Sequence, residues 1–192
     1  MPLPLDTHVH RRMRKWFSVF IVILFTIPSL VLIGWIFDIY SLRTFFFPPF
    51  VMLPLTAVCF ILVAAAKFLL RKEGTVNWGR ALVFIVMAIG LLRVAELFPG
   101  VGFSIDRTLF PASYHQAVPG QSGRMSPVAA ICFILAGIAM LLRWYPDNLR
   151  KKLSHYLILV IGATALFSIL GYIYRIPQYT GFWSHLATDT ST

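Results

Sequence analysis

Two opposite charges stand three residues apart inside one apolar run: Arg93 and Glu96, in the stretch Ala81–Phe98. On a helix that spacing puts them on one face. A charge in an apolar membrane helix is costly, so such residues usually face the bundle interior and pair with one another or with a nearby partner. The polar stretch that follows supplies Asp106, Arg107 and Arg124. These five residues define a candidate ligand-binding polar pocket near the end of the helix. The competing arrangement is an ion pair confined to one helix, with its side chains reaching out to water. In both, truncating Arg93 leaves Glu96 unbalanced, so Arg93→Ala is expected to destabilise the fold. Only the pocket predicts that a bound ligand changes that cost.

Other chemistry is sparse. The five histidines are His8, His10, His115, His155 and His185. A metal or haem held between helices needs ligands at one depth; His155 falls near the inner end and His115 and His185 in the outer loops, where those two meet only if their loops pack together, so no metal and no cofactor is expected. Cys59 and Cys132 both lie in apolar runs, as small packing residues rather than a disulfide framework. No serine–histidine–acid or cysteine–histidine set has a supporting context, so no catalytic residue is assigned and the chain is not expected to be an enzyme. Thr56, Ser126 and Thr188 suit helix capping or hydrogen bonding between helices. Aromatic residues collect between the apolar runs, at Phe45-Phe46-Phe47, Phe103, Phe110, Tyr114, Tyr179, Phe182 and Trp183. They fit an interfacial belt or the walls of an apolar cleft.

The elements that must carry these residues follow from composition. Of 192 residues, 58% are hydrophobic and 12% charged, about half the charged share of a soluble domain; mean hydropathy is +0.78. That much apolar surface cannot be hidden in water, so the chain reads as an all-α integral membrane protein. The net charge of +10 does not indicate nucleic acid, because the basic residues sit at the ends of apolar runs rather than on one solvated face.

The spacing predicts a basic tail at residues 1–15 and a transmembrane bundle over 16–192. Its five helices fall near 16–37, 51–70, 81–98, 126–142 and 153–174, with outer loops at 38–50, 99–125 and 175–192. The first run is too long for a signal peptide, and no cleavage pattern follows it. Pro54 and Pro127 stand at the starts of the second and fourth helices, where a missing N–H is tolerated; Ser126 suits the cap before Pro127. Ala64-Ala65-Ala66, Ala129-Ala130 and Ala136-Gly137 allow close approach, which points to the second and fourth helices as the central pair. Twelve Lys and Arg residues fall on the side of the N-terminal tail and four on the other. The N-terminus is therefore expected in the cytoplasm.

The chain also repeats itself. Leu53-Pro54-Leu55-Thr56-Ala57-Val58-Cys59-Phe60 matches Ser126-Pro127 through Cys132-Phe133, 73 positions later. Ser41-Leu42-Arg43-Thr44-Phe45-Phe46-Phe47-Pro48 resembles Ser104 to Pro111, with a weaker third version at Gly171–Pro177. The expected unit is helix, outer loop, proline doorstep, helix, repeated in parallel. Leu186–Thr190 resembles a third doorstep, so the design is expected to have six helices and the sequence to stop before the last.

At these residues the chain resembles a known family. Arg124-Met125-Ser126-Pro127 with the following run to Leu142, Ile105–Pro111, Leu170–Tyr174, and Ile33–Asp38 with Pro54–Ala57 resemble the N-terminal multi-helix membrane sensor region of bacterial PAS-containing histidine kinases and diguanylate cyclases. The resemblance covers most of residues 30–192. It implies a sensory input region in the bacterial inner membrane, dimeric by analogy, passing an outer-face or bilayer signal to a cytoplasmic module in the same polypeptide. These 192 residues carry no H-box, no nucleotide-binding glycine motif and no Gly-Gly-Asp-Glu-Phe, so kinase or cyclase output is implied only for a longer parent. A small transporter or channel-like protein is the rival reading, although no helix carries a series of charges. A plain membrane anchor whose basic loops contact anionic lipid is the third.

Overall fold

A computed structural model describes residues 7–43, 51–98, 105–110, 124–144 and 147–173, and among these residues all regular structure is helical. Five longer helices, α1 (Thr7–Ile36), α3 (Pro54–Leu69), α4 (Val76–Ala95), α6 (Pro127–Leu142) and α7 (Asn148–Ile173), alternate with two short ones, α2 (Tyr40–Arg43) and α5 (Ile105–Leu109). Each longer helix packs on the next in the chain, α1 on α3, α3 on α4, α4 on α6 and α6 on α7, with α2 folded back on α1. One end of the bundle holds the start of α3 and α6, the end of α4, and both short helices. The other holds the end of α3 and α6 and the start of α4 and α7. These are called the proline end and the basic end.

Three helices contain stretches long and apolar enough to cross a membrane: Val19–Ile36, Val76–Ala95 and Asn148–Leu170. The first and last are 17% and 6% buried. Their exposed faces are apolar, Phe20, Phe25 and Ile36 on α1 and Leu159, Leu166 and Phe167 on α7. Such faces are costly in water and matched in lipid. These are the features of a membrane protein. α3 and α6 are apolar but shorter, 16 residues each.

Several helix ends depart from the sequence reading. α1 begins at Thr7, so residues 7–15 of the basic tail are helical; arginine and lysine are good helix formers, and nothing in Arg11-Arg12-Met13-Arg14-Lys15 stops the helix. α7 begins at Asn148 rather than near Leu153. α4 is shifted to Val76–Ala95, because a 3₁₀ turn at Glu73–Thr75 delivers the chain into it early. The Thr75 hydroxyl, at the cap position, donates to Leu69 O at 2.8 Å and closes the end of α3.

At the proline end the two starts differ. Ser126 caps α6, its hydroxyl accepting from Ala129 N–H at 3.1 Å. The corresponding position before α3 is Leu53, which has no side chain able to cap. Thr56 lies inside the first turn, so the capping role expected of it is not available there. Pro54 and Pro127 occupy the first helical positions.

The packing order differs from the expected central pair. α4 lies between α3 and α6, and α4 with α6 is the most extensive pairing. Gly90 explains part of this. A Cβ there would lie 2.9 Å from Ala130 O and 2.8 Å from Ile134 Cγ1, so α4 approaches the α6 backbone as only glycine permits. α3 and α6 meet where Phe60 and Phe133 stack edge to face, centroids 4.9 Å apart. The buried core around them, Leu55, Cys59, Val86, Ile105, Met125, Ala130 and Phe133, draws on α3, α4, α5, α6 and the lead-in to α6. It therefore sits toward the proline end.

Candidate functional site

Arg93 lies in the last turn of α4, and Glu96 is the residue that caps its C-terminus. A cation there suits the negative end of the helix dipole and an anion does not, so Glu96 needs partners. The Arg93 Nη1 donates to Glu96 Oε2 at 2.6 Å, and both side chains are 3% exposed. The other carboxylate oxygen, Oε1, accepts the N–H of Ile105 at 2.7 Å. Glu96 thus holds the first residue of α5 against the end of α4. The next residue, Asp106, uses Oδ2 to accept the N–H of Met125 at 3.2 Å, and its Oδ2 lies 3.9 Å from Arg93 Nε. Arg93 Nε donates to the carbonyl of Met125 at 2.6 Å. Three side chains therefore tie together three separated segments, the end of α4, the start of α5 and the lead-in to α6.

Of the five residues singled out in the sequence, Arg93, Glu96 and Asp106 come together. Arg124 precedes the pinned Met125, is half-buried, and its charge acts favourably on Asp106. The Arg107 side chain lies outside the described residues. The ion pair is not confined to one helix and does not reach out to water. Burial pushes the Asp106 carboxyl up from 3.8 to about 6, against the Met125 N–H and the Arg93 and Arg124 charges, which hold it down. Burial wins because the site is nearly dry. With Asp106 ionised, the triad carries one positive and two negative charges; proton uptake balances it. The interactions these side chains make are ion pairing and hydrogen bonding, and Asp106 can take up a proton.

A matching device at the start of α3 is absent from the sequence reading. Trp35 Nε1 donates to the carbonyl of Met52 at 2.9 Å, and the Met52 N–H donates to Arg43 O at 3.1 Å. Met52 and Met125 each stand two residues before the helix-starting proline, and each has both backbone groups engaged. Their 73-residue separation was the available signal, but backbone acceptors leave no mark in a sequence. Around Trp35 the turn is tightly made. Asp38 takes a left-handed φ of 58°, and Ile39 N–H returns to Gly34 O at 2.8 Å, a Schellman ending for α1. Arg43 pairs with Asp38, donates to Gly34 O at 3.1 Å and lies 4.2 Å over the Trp35 ring.

Most of the other candidates lie beyond this region. Phe110 is half-buried against the core; Phe45, Phe46, Phe47, Phe103, Tyr114, Tyr179, Phe182, Trp183, His115, His185 and Thr188 fall outside the described residues. His155 is exposed on α7, its Nδ1 2.6 Å from Lys151 O. Among the described residues no group of three or more metal-ligating side chains occurs. Comparison with protein-family models, curated proteins and solved structures returns no match.

Proposed function

We propose that this chain is the sensory input region of a bacterial signalling protein of the inner membrane. It crosses the bilayer five times in two parallel helix–loop–helix units, with a cytoplasmic N-terminus, and acts as a homodimer on a kinase or diguanylate cyclase module carried in the same polypeptide. Five crossings are compatible with the short helices. Sixteen residues of helix span roughly 24 Å, and two lead-in residues add about 7 Å if extended, together close to the hydrocarbon thickness of about 30 Å. Lead-in backbone at that depth has to be satisfied by protein, which Trp35, Arg43, Arg93 and Asp106 supply.

The observation that carries the sensory reading is the closed Arg93–Glu96–Asp106 network. It couples the outer segment to α4, and α4 runs unbroken to the basic end. A signal that alters this network, by protonating Asp106 or by competing for Arg93, would shift α4 against α6 and against α7, which packs on α6. Such a coupled two-state element is what a sensor requires. Spin labels at Asn77→Cys and Leu149→Cys, with Cys59 and Cys132 replaced by alanine, test it in proteoliposomes. Their separation should change when the outer pH crosses about 6 and stay constant in Asp106→Asn. A separation indifferent to pH in both proteins argues against this coupling, and specific ion or solute flux through the same vesicles would favour the transporter reading.

A further inference from the structure

At the basic end, Lys67, Leu70 and Arg71 from the end of α3 face Met140, Arg143 and Trp144 from the end of α6 across a cleft of about 320 Å³. The cleft exists because α4 separates α3 from α6 over most of their length. Three of its six lining residues are cationic and none is acidic. A fourth cation adjoins it: the Arg80 guanidinium lies 4.8 Å from the centroid of the Trp144 ring. Asp147, the carboxylate just beyond, is engaged by Arg150 at 3.1 Å.

Cations at helix C-termini are ordinary, because the helix dipole favours them there. Two C-termini contribute roughly −0.5 charge each, about −1 together, whereas four side chains bring +4. The lining of this one concave site is therefore basic beyond what the two helix ends call for. The volume falls at the lower end of the range for small-ligand sites, about 300–1,000 Å³. The wall is divided, with guanidinium and ammonium groups for a phosphate and Leu70, Met140 and Trp144 for the apolar part of the same ligand. Phe68 and Trp144 are exposed beside it, as aromatic anchors are at headgroup depth.

We propose that this cleft binds the phosphodiester headgroup of an anionic phospholipid from the leaflet at the basic end. Arginine offers a planar pair of donors to phosphate oxygens, and Lys67 a point charge. The assignment needs the bundle to sit in a bilayer and is independent of the sensory reading.

The test uses the full chain in nanodiscs of phosphatidylcholine mixed with phosphatidylglycerol, released into a native mass spectrometer. Retained phosphatidylglycerol should exceed retained phosphatidylcholine, and Arg71→Gln/Arg143→Gln should cut that preference about tenfold or more. Arg71→Lys/Arg143→Lys, which keeps the charge but not the planar donors, should retain part of it and guards against a folding defect in the glutamine pair. Arg150→Gln, which alters surface charge outside the cleft, should leave it unchanged. Equal retention by the wild-type protein and the glutamine pair would overturn the proposal, as would an equal loss in Arg150→Gln. Millimolar inorganic phosphate that displaces the lipid completely would assign the cleft to a soluble phosphate ligand instead.

Discussion

Arg93 is the residue on which the proline end depends. Its guanidinium faces the Met125 carbonyl and the Glu96 carboxylate at 2.6 Å each, with Asp106 at 3.9 Å. Arg93→Ala leaves two buried carboxylates facing each other and a carbonyl without its donor. Breaking a buried pair from one side costs about 3–5 kcal/mol, and unfolding in detergent should show a loss of that size. A loss below about 1 kcal/mol would place the pair in water, as for an exposed salt bridge. Asp106 gives the site its pH dependence. Its pKa is raised in the folded protein to about 6, so the folded state holds the proton more tightly than the unfolded chain. The stability this contributes is complete below pH ~4 and is lost as pH rises through ~6, roughly 3 kcal/mol at most. Asp106→Asn keeps an acceptor for Met125 N–H and does not titrate. The wild-type unfolding midpoint should therefore fall relative to that of the variant between pH 4 and 7, and parallel curves would show that Asp106 is not desolvated. Arg93 and Glu96 were legible in sequence because a charge in an apolar run demands a partner, and Asp106 because it is an acid in the polar stretch that follows. Trp35 and Arg43 were not, since what they serve is backbone.

At the scale of elements, the apolar runs announced the five longer helices, and their ends were set by contacts that the runs do not encode. Thr75 closing α3 and the Schellman turn at Asp38 are examples. The order of packing was least legible. Alanine-rich stretches in α3 and α6 pointed to those two as neighbours, yet α4 enters between them, because Gly90 and Gly137 let it lie closer to α6 than alanine would. A Cβ on Gly137 would come within 2.4 Å of Met87 Cγ, a side chain that can move. A Cβ on Gly90 meets Ala130 O, a backbone atom that cannot. Gly90→Ala should consequently separate α4 from α6 and destabilise by about 1–3 kcal/mol, while Gly137→Ala costs less. Thermal unfolding of the two variants in one detergent decides the order, and equal midpoints would mean that the α4–α6 distance is not set at Gly90. A shift at Gly90 should also loosen the Met125 contact, since Arg93 lies one turn further along α4.

For the whole molecule, the question is how many of the five longer helices cross the bilayer. Three are long and apolar enough by themselves; α3 and α6 reach the required thickness only with their lead-in residues. Had α3 or α6 entered and left on one side, the exposed basic clusters at their ends would lie beside the proline end's loops. The Lys and Arg distribution, twelve against four when both helices are taken to cross, fits the proposed topology with the positive side cytoplasmic. Four single cysteines in a Cys59→Ala/Cys132→Ala background test this with a membrane-impermeant maleimide applied to intact cells. Phe37→Cys and Leu109→Cys report the proline end, and Asn77→Cys and Leu149→Cys the basic end; three of these native side chains, Phe37, Leu109 and Leu149, are 69%, 55% and 79% exposed. Phe37→Cys and Leu109→Cys should react from outside, and Asn77→Cys and Leu149→Cys only after the membrane is opened. If Leu149→Cys reacted from outside together with Leu109→Cys, α6 would not cross. The same result for Asn77→Cys and Phe37→Cys would remove α3 from the crossing helices. A protein with either result would lack the two-unit architecture, and its basic cleft would no longer lie between two crossing helices.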